Sequence, residues 1–318
     1  YERAVSLRRS IGDERGLAAS YNSIGNIYKA QGRYGEALEY YQKALAIREA
    51  LGDKAGLAMS YNNIGDIYYA QGRYGEALEH YQKALTIREA LGDKAGLAGS
   101  YNNIGNIYSA QGRYGEALEY YRKALAIQEA LGDKAGMATS YNSIGLIYSG
   151  QGRYEEALEY YQRALRTLEA LGDKAGMARL SNNIGIIYFG QGRYEEALEY
   201  YQRALRTLEA LGDKAGMASS YNNIGSIYYT QGRYAEALEY YHKALTIREA
   251  LGDKAGMARS YTNIGNIYGD QGRYGEALEY YQKALAIREA LGDKAGMATS
   301  YNNIGDTYSD QGRYAEAL

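Results

Sequence analysis

The chain has 318 residues, a net charge of −2 and a sequence pI of 5.9, so no global field draws it toward nucleic acid or anionic lipid. It contains no cysteine, which removes any disulfide frame, thiol nucleophile or thiolate metal site. Proline and tryptophan are absent while glycine reaches 40 and tyrosine 39, a balance that points to periodic tight turns rather than a disordered linker. The missing cysteines suit a reducing compartment, and cytoplasmic placement is the expectation, although a disulfide-free secreted chain would look the same. No apolar run approaches the length of a membrane span, so no membrane partner is expected.

The first residues, from Tyr1, align with a later stretch beginning at Tyr41, so the chain is expected to open inside a helix. From there the sequence repeats every forty residues, in rows that begin at Tyr21, Tyr61, Tyr101, Tyr141, Ser181, Tyr221, Tyr261 and Tyr301. The second row serves as the pattern. Residues 54–71 are predicted as one helix, with Tyr61, Ile64, Gly65 and Tyr68 at three- and four-residue spacing, and Gly72 stops it in the left-handed region. A second helix is predicted over 74–91, carrying Ala77, Leu78, Tyr81, Ala84 and Leu85 on one face and the pair Glu79 and Lys83 on the other. Gly92 ends it, and Asp93 is placed to cap the next helix. One helical hairpin cannot bury its apolar face alone; stacked neighbours can, which predicts an all-α solenoid of antiparallel helix pairs. The last residue, Leu318, aligns with Leu38, so the chain is expected to stop inside a helix, and end-to-end self-association is left open as one partner mode.

The run N-x-I-G-x-I-Y…Q-G-R-Y-x-E-A-L-E-Y-Y-x-x-A-L resembles the tetratricopeptide repeat (TPR). The aromatic–Leu–Gly–Tyr signature of that family maps onto Tyr61, Ile64, Gly65 and Tyr68, and its later Tyr, Ala, aromatic and Ala map onto Tyr74, Ala77, Tyr81 and Ala84. Two features depart from the family pattern. The usual tryptophan is tyrosine in seven rows and Ser181 in the fifth, and the closing proline is replaced around Glu89. The forty-residue spacing resembles a long-helix subclass found in cell-polarity adaptors, kinesin light chains and prokaryotic signalling proteins. The resemblance covers residues 1–318 as one continuous array of about eight repeats. It implies a right-handed superhelix whose concave groove, lined by the first helix of each pair, binds extended peptides or partner helices.

Comparing the rows with one another locates the variation. In the second row the positions that change most in chemical type are Met59, Asp66, Tyr69 and Ala70, which share one stripe of the first helix with Asn62. Followed along the chain, that stripe is polar and mixed in the first three rows, with Asn26, Lys29 and Asp66. It is apolar in the fourth and fifth, with Leu146, Ile186 and Phe189 beside Arg179. It carries Tyr229 and then Arg259 in the sixth and seventh, and it ends acidic with Asp270, Asp306 and Asp310. A row of amides, Asn22, Asn62, Asn102, Asn142, Asn182, Asn222 and Asn302, runs alongside and is interrupted at Thr262. An amide both donates and accepts, so this ladder suits an extended backbone, or else it satisfies groups within the solenoid. The apolar middle also has two readings. It is a pocket wall for a partner's apolar anchor, or Phe189 or Leu180 fills space left by Ser181. Duplication of nearly identical rows four and five offers a third origin for the oddities.

No catalytic constellation is visible. His80 and His242 fall at different places on second helices and read as rim residues, and the repeated G-D-K-A-G lacks the spacing and ending of a phosphate loop. Aromatics without a basic stripe argue against single-stranded nucleic acid. No enzyme activity, metal or cofactor is expected. The expected partner is a protein or peptide segment with an apolar anchor and basic residues; the alternatives are a sensor array of a larger prokaryotic signalling ATPase or protease, or a consensus-like array without a dedicated ligand.

Overall fold

A computed structural model describes residues 1–318. The chain falls into two compact units, Tyr1–Thr167 and Leu168–Leu318. The first holds α1 (Glu2–Ser10), α2 (Glu14–Ala30), α3 (Tyr34–Ala50), α4 (Lys54–Ala70), α5 (Tyr74–Leu91), α6 (Lys94–Ala110), α7 (Tyr114–Leu131), α8 (Lys134–Gly150) and most of α9 (Tyr154–Leu171). The second holds α10 (Lys174–Gly190), α11 (Tyr194–Leu211), α12 (Lys214–Thr230), α13 (Tyr234–Leu251), α14 (Lys254–Asp270), α15 (Tyr274–Leu291), α16 (Lys294–Asp310) and α17 (Tyr314–Ala317). Within each unit, consecutive helices pack side by side as a helix-hairpin solenoid, the arrangement the forty-residue pattern predicts.

Two kinds of joint alternate. At the Q-G-R-Y joint, Gly72 sits at φ +73°, its N–H donates to Tyr69 O, and Arg73 N–H donates to Tyr68 O, closing the helix with a Schellman motif. The Arg73 side chain then works on both sides of the turn. Its guanidinium lies 4.4 Å from the Tyr68 ring centroid and pairs with Glu76 in the first turn of α5, where the helix dipole also favours a carboxylate. Arg33, Arg113, Arg153, Arg193, Arg233 and Arg273 repeat this clamp, which is why R-Y-x-E recurs. At the L-G-D joint, Gly92 takes φ +66°, Asp93 N–H donates to Arg88 O, and Asp93 Oδ1 accepts from Gly96 N–H at 2.9 Å. One residue thus closes α5 and caps α6.

The core is a column of small and branched side chains. Ala77, Ala84, Ile64 and Ile67 are buried, as are Ala117, Ala124, Ile104 and Ile107 of the third row, whereas Ile27 of the first row is exposed; each buried isoleucine contributes about 1.5–3 kcal/mol of apolar transfer. Gly65 explains its own residue type: a Cβ there would lie 2.7 Å from the Tyr81 ring. Glycine therefore lets the second helix of a pair set a tyrosine ring flat against the backbone of the first. The reverse face of the second helix is solvated and stitched by Lys83–Glu79 pairs at 2.6 Å, with the same spacing in Lys43–Glu39 and Lys283–Glu279.

Candidate partner-binding stripe

The variable positions sit where first-helix side chains leave the core. Met59 is 48% exposed, and Ala70, Arg179, Arg259, Asp270, Asp306 and Asp310 are exposed. Asp66 and Tyr229 are half-buried. Leu146 in the first unit and Ile186 in the second are each 48% exposed, so two branched apolar side chains face solvent at a position that is otherwise polar.

That position has an internal duty that sequence comparison did not reveal. The second-helix tyrosine fifteen residues later reaches back to it: Tyr41 Oη donates to Asn26, Tyr81 to Asp66, Tyr121 to Asn106 and Tyr281 to Asn266, at 2.7–2.9 Å. Tyr241 Oη meets Ser226 Oγ at 3.2 Å. Leu146 and Ile186 offer no acceptor, and the Tyr161 hydroxyl is buried without a partner. Burial pushes the hydroxyl pKa of Tyr41, Tyr121 and Tyr281 up to about 12; the carboxylates of Asp270 and Asp306 add to the effect at Tyr281, and that of Asp66 at Tyr41. Tyr81 is raised further by burial and by Asp66.

The amide row is engaged between repeats. Asn22 Oδ1 accepts from Asn63 Nδ2 at 2.7 Å, Asn62 Oδ1 from Asn103 at 3.0 Å, and Asn222 Oδ1 from Asn263 at 3.0 Å. Asn102 accepts from Ser140 Oγ at 3.1 Å, and Asn182, itself buried, bonds Ser220. Thr262 bonds Ala258 O of its own helix. Asn142 is half-buried on the same stripe and Asn302 is exposed. These bonds engage the oxygens of Asn22, Asn62, Asn102 and Asn222 and both polar atoms of Asn182 within the solenoid, and Asn62 Nδ2 also reaches Asp66 Oδ1 at 3.5 Å. Charges on the stripe also meet one another. Lys29 Nζ pairs with Asp66 at 2.7 Å, and Asp270 lies beside the Tyr229 hydroxyl and holds its proton on, after burial the second cause of its raised pKa.

Phe189 does not repair the core beside Ser181. Its ring is half-buried, 5.7 Å from Tyr194 at 54°, and packs with the Ile224 and Ile227 cluster of the next row. Tyr69 and Tyr229 take the same place against Tyr74 and Tyr234. Nor does Leu180 fill the space. It stands where every other row has a serine, which in the second and seventh rows accepts from a buried guanidinium: Arg48 Nη1 to Ser60 Oγ at 2.7 Å, and Arg248 to Ser260 at 2.6 Å. In the RTLEA rows that arginine is Leu168 or Leu208, so Ser→Leu at 180 removes an acceptor whose donor has gone. The exchange of "AIREA" for "RTLEA" was the visible trace of this buried pair.

His80 lies on Tyr68 at 5.2 Å, with Nδ1 2.8 Å from Glu76 O, a rim position on the second helix. No group of three or more His, Asp or Glu side chains is arranged to hold a metal ion, and no helix is long and apolar enough to cross a membrane.

A family model described as tetratricopeptide repeat matches residues 1–50, 16–90, 56–130, 96–170, 176–250, 216–290 and 256–318. No curated protein matches the sequence. Among solved structures, BtubC (BKLC) from P. vanneervenii is 26% identical with a TM-score of 0.57, covering 70% of this chain and 90% of that one. The apo quorum sensor NprR from B. thuringiensis is 15% identical with a TM-score of 0.68, over 98% of this chain and 88% of that one. A Signal Transduction ATPase with Numerous Domains from Pyrococcus horikoshii, which has a tetratricopeptide repeat sensor, is 19% identical with a TM-score of 0.67. That match covers 97% of this chain and 46% of the ATPase.

Proposed function

The chain belongs to the tetratricopeptide repeat family, and from that membership we propose that it is a non-catalytic scaffold holding an extended segment of another protein along the first-helix stripe. The observation that carries this reading is the chemical variety along that stripe, set against the outer face of the second helices. The outer face of the second helices repeats the same Glu and Lys or Arg, whereas the stripe changes from polar to apolar to acidic along the chain. Exposed Leu146 and Ile186 also cost their rows a tyrosine acceptor, a sacrifice that internal packing does not explain. The partner expected is an extended segment with an apolar anchor for Ile186 and basic residues for Asp270, Asp306 and Asp310.

Selection of random dodecamer peptides on the immobilised chain tests this reading. Enriched peptides should combine apolar and basic residues, and Ile186→Asp should weaken them at least about tenfold, a loss of roughly 1.4 kcal/mol, with unchanged helicity. Undiminished affinity in Ile186→Asp and in Asp306→Asn/Asp310→Asn would refute it. A second reading, a sensor array within a larger signalling ATPase, draws on the likeness to the Pyrococcus protein. The complete reading frame decides it by the presence or absence of a nucleotide-binding domain.

A further inference from the structure

Ser181 is the single row-opening position without a tyrosine, and the second unit has a cavity of about 480 Å³ there, between α10 and α11. Its floor is Ala178 and Ser181, both buried; Met177 and Leu211 give it apolar walls; Lys174, Arg203 and Arg206 stand exposed at its rim. At 100° per residue, this face of α10 lies about 120° around the helix from the stripe holding Arg179 and Ile186. The cavity is therefore separate from the partner-binding stripe.

The other rows show what this space is shaped to hold. Tyr61 and Tyr221 place their rings within 6 Å of a cation, Lys83 at 5.7 Å and Lys243 at 5.9 Å. Row four is almost a copy of row five, with the same "EEALEYYQRALRTLEALGDKAGMA", but it keeps Tyr141, whose hydroxyl donates to Glu129 at 3.1 Å. Row five has lost the ring and kept the cations. Arg203 corresponds to Lys83, Arg163 and Lys243, which pair with the glutamate four residues earlier, yet it makes no such pair. Arg206 exists because RTLEA moves a guanidinium from the buried Arg48-type position to the surface. Asp173 accepts from Gly176 N–H and Glu209 from the Tyr221 hydroxyl; Glu169, the counterpart of Glu129 and Glu209, is exposed and has no row-opening tyrosine to accept from, and no ion pair neutralises Lys174, Arg203 or Arg206.

We propose that this cavity binds a small aromatic anion, with its ring in the slot vacated by tyrosine and its carboxylate or phosphate against Arg203 and Arg206, Lys174 beside them. The volume falls within the range of small-molecule sites, and an apolar floor with a few convergent cations is their usual chemistry.

Calorimetric titration of the whole chain with phenyl phosphate, benzoate and inorganic phosphate tests the proposal. At least one aryl anion should bind saturably, about tenfold or more tighter than inorganic phosphate, and which one binds identifies the head group. Ser181→Tyr, which restores the residue of the other seven rows, should keep the helicity and abolish that binding. Arg203→Ala/Arg206→Ala should weaken it by about tenfold, and raised salt should weaken it further. Absence of saturable aryl-anion binding, equal affinity for inorganic phosphate, or undiminished affinity in Ser181→Tyr would overturn the proposal. Should Ser181→Tyr misfold, undiminished affinity in the double arginine variant overturns it instead.

Discussion

At the scale of the residue, one hydroxyl illustrates how the rows differ in energy as well as in surface. Tyr121 and Tyr161 occupy equivalent places, but the first donates to Asn106 while the second is buried without a partner because Leu146 replaced the acceptor. Removing the bonded hydroxyl in Tyr121→Phe should cost about 1 kcal/mol; removing the idle one in Tyr161→Phe should cost nothing or stabilise. Leu146→Asn should gain about 1 kcal/mol by supplying the acceptor. Urea midpoints of the three variants check this, and equal losses in both tyrosine variants would contradict it. The variability of the Asn106 and Leu146 position was legible in the sequence. Its hydrogen-bonding duty was not, because row comparison identifies a position that changes but not the side chain on the next helix that points at it.

At the scale of the element, helix limits were legible because glycine and aspartate mark them by backbone geometry. The predicted spans 54–71 and 74–91 differ from the observed Lys54–Ala70 and Tyr74–Leu91 by one residue. The close approach at Gly65 was legible too, since a small residue recurs inside an otherwise bulky apolar stripe. Gly65→Ala should cost about 1–3 kcal/mol by forcing the Tyr81 ring away. Gly75→Ala, where a Cβ would meet nothing within 4 Å, should instead stabilise α5 by up to about 1 kcal/mol. Thermal melts of the two variants should move in opposite directions, and a common direction would reject this account of the helix contact. Less legible were the arginines. Arg73 bridges a ring and a carboxylate across a turn and Arg48 is buried between rows, yet both look like ordinary charged residues in a repeat.

At the scale of the molecule, the tyrosines set a limit on alkaline tolerance. Unfolded tyrosine loses its proton near pH 10, whereas Tyr41, Tyr121 and Tyr281 keep theirs to about 12 in the folded chain. Their raised folded-state pKa favours the native state while both states are protonated, and that advantage drains away once the unfolded state alone ionises. Unfolding midpoints should therefore stay level up to about pH 9.5 and fall steeply between roughly pH 10 and 12, with a late phase in phenolate absorbance. A single titration near pH 10 with the fold intact would refute this.

The amide-to-amide bridges Asn63–Asn22, Asn103–Asn62 and Asn263–Asn222 run one way: the donor belongs to the later row and the acceptor to the earlier one, 41 residues back. Excising the row that contains Asn62 and Asn63 would bring Asn103 to Asn22, with the same donor meeting the same acceptor. The seam is thus indifferent to how many rows lie on either side of it. Unequal recombination between near-identical coding segments could change the reach of such a protein in steps of one row, and each new neighbour would arrive already fitted to the old one.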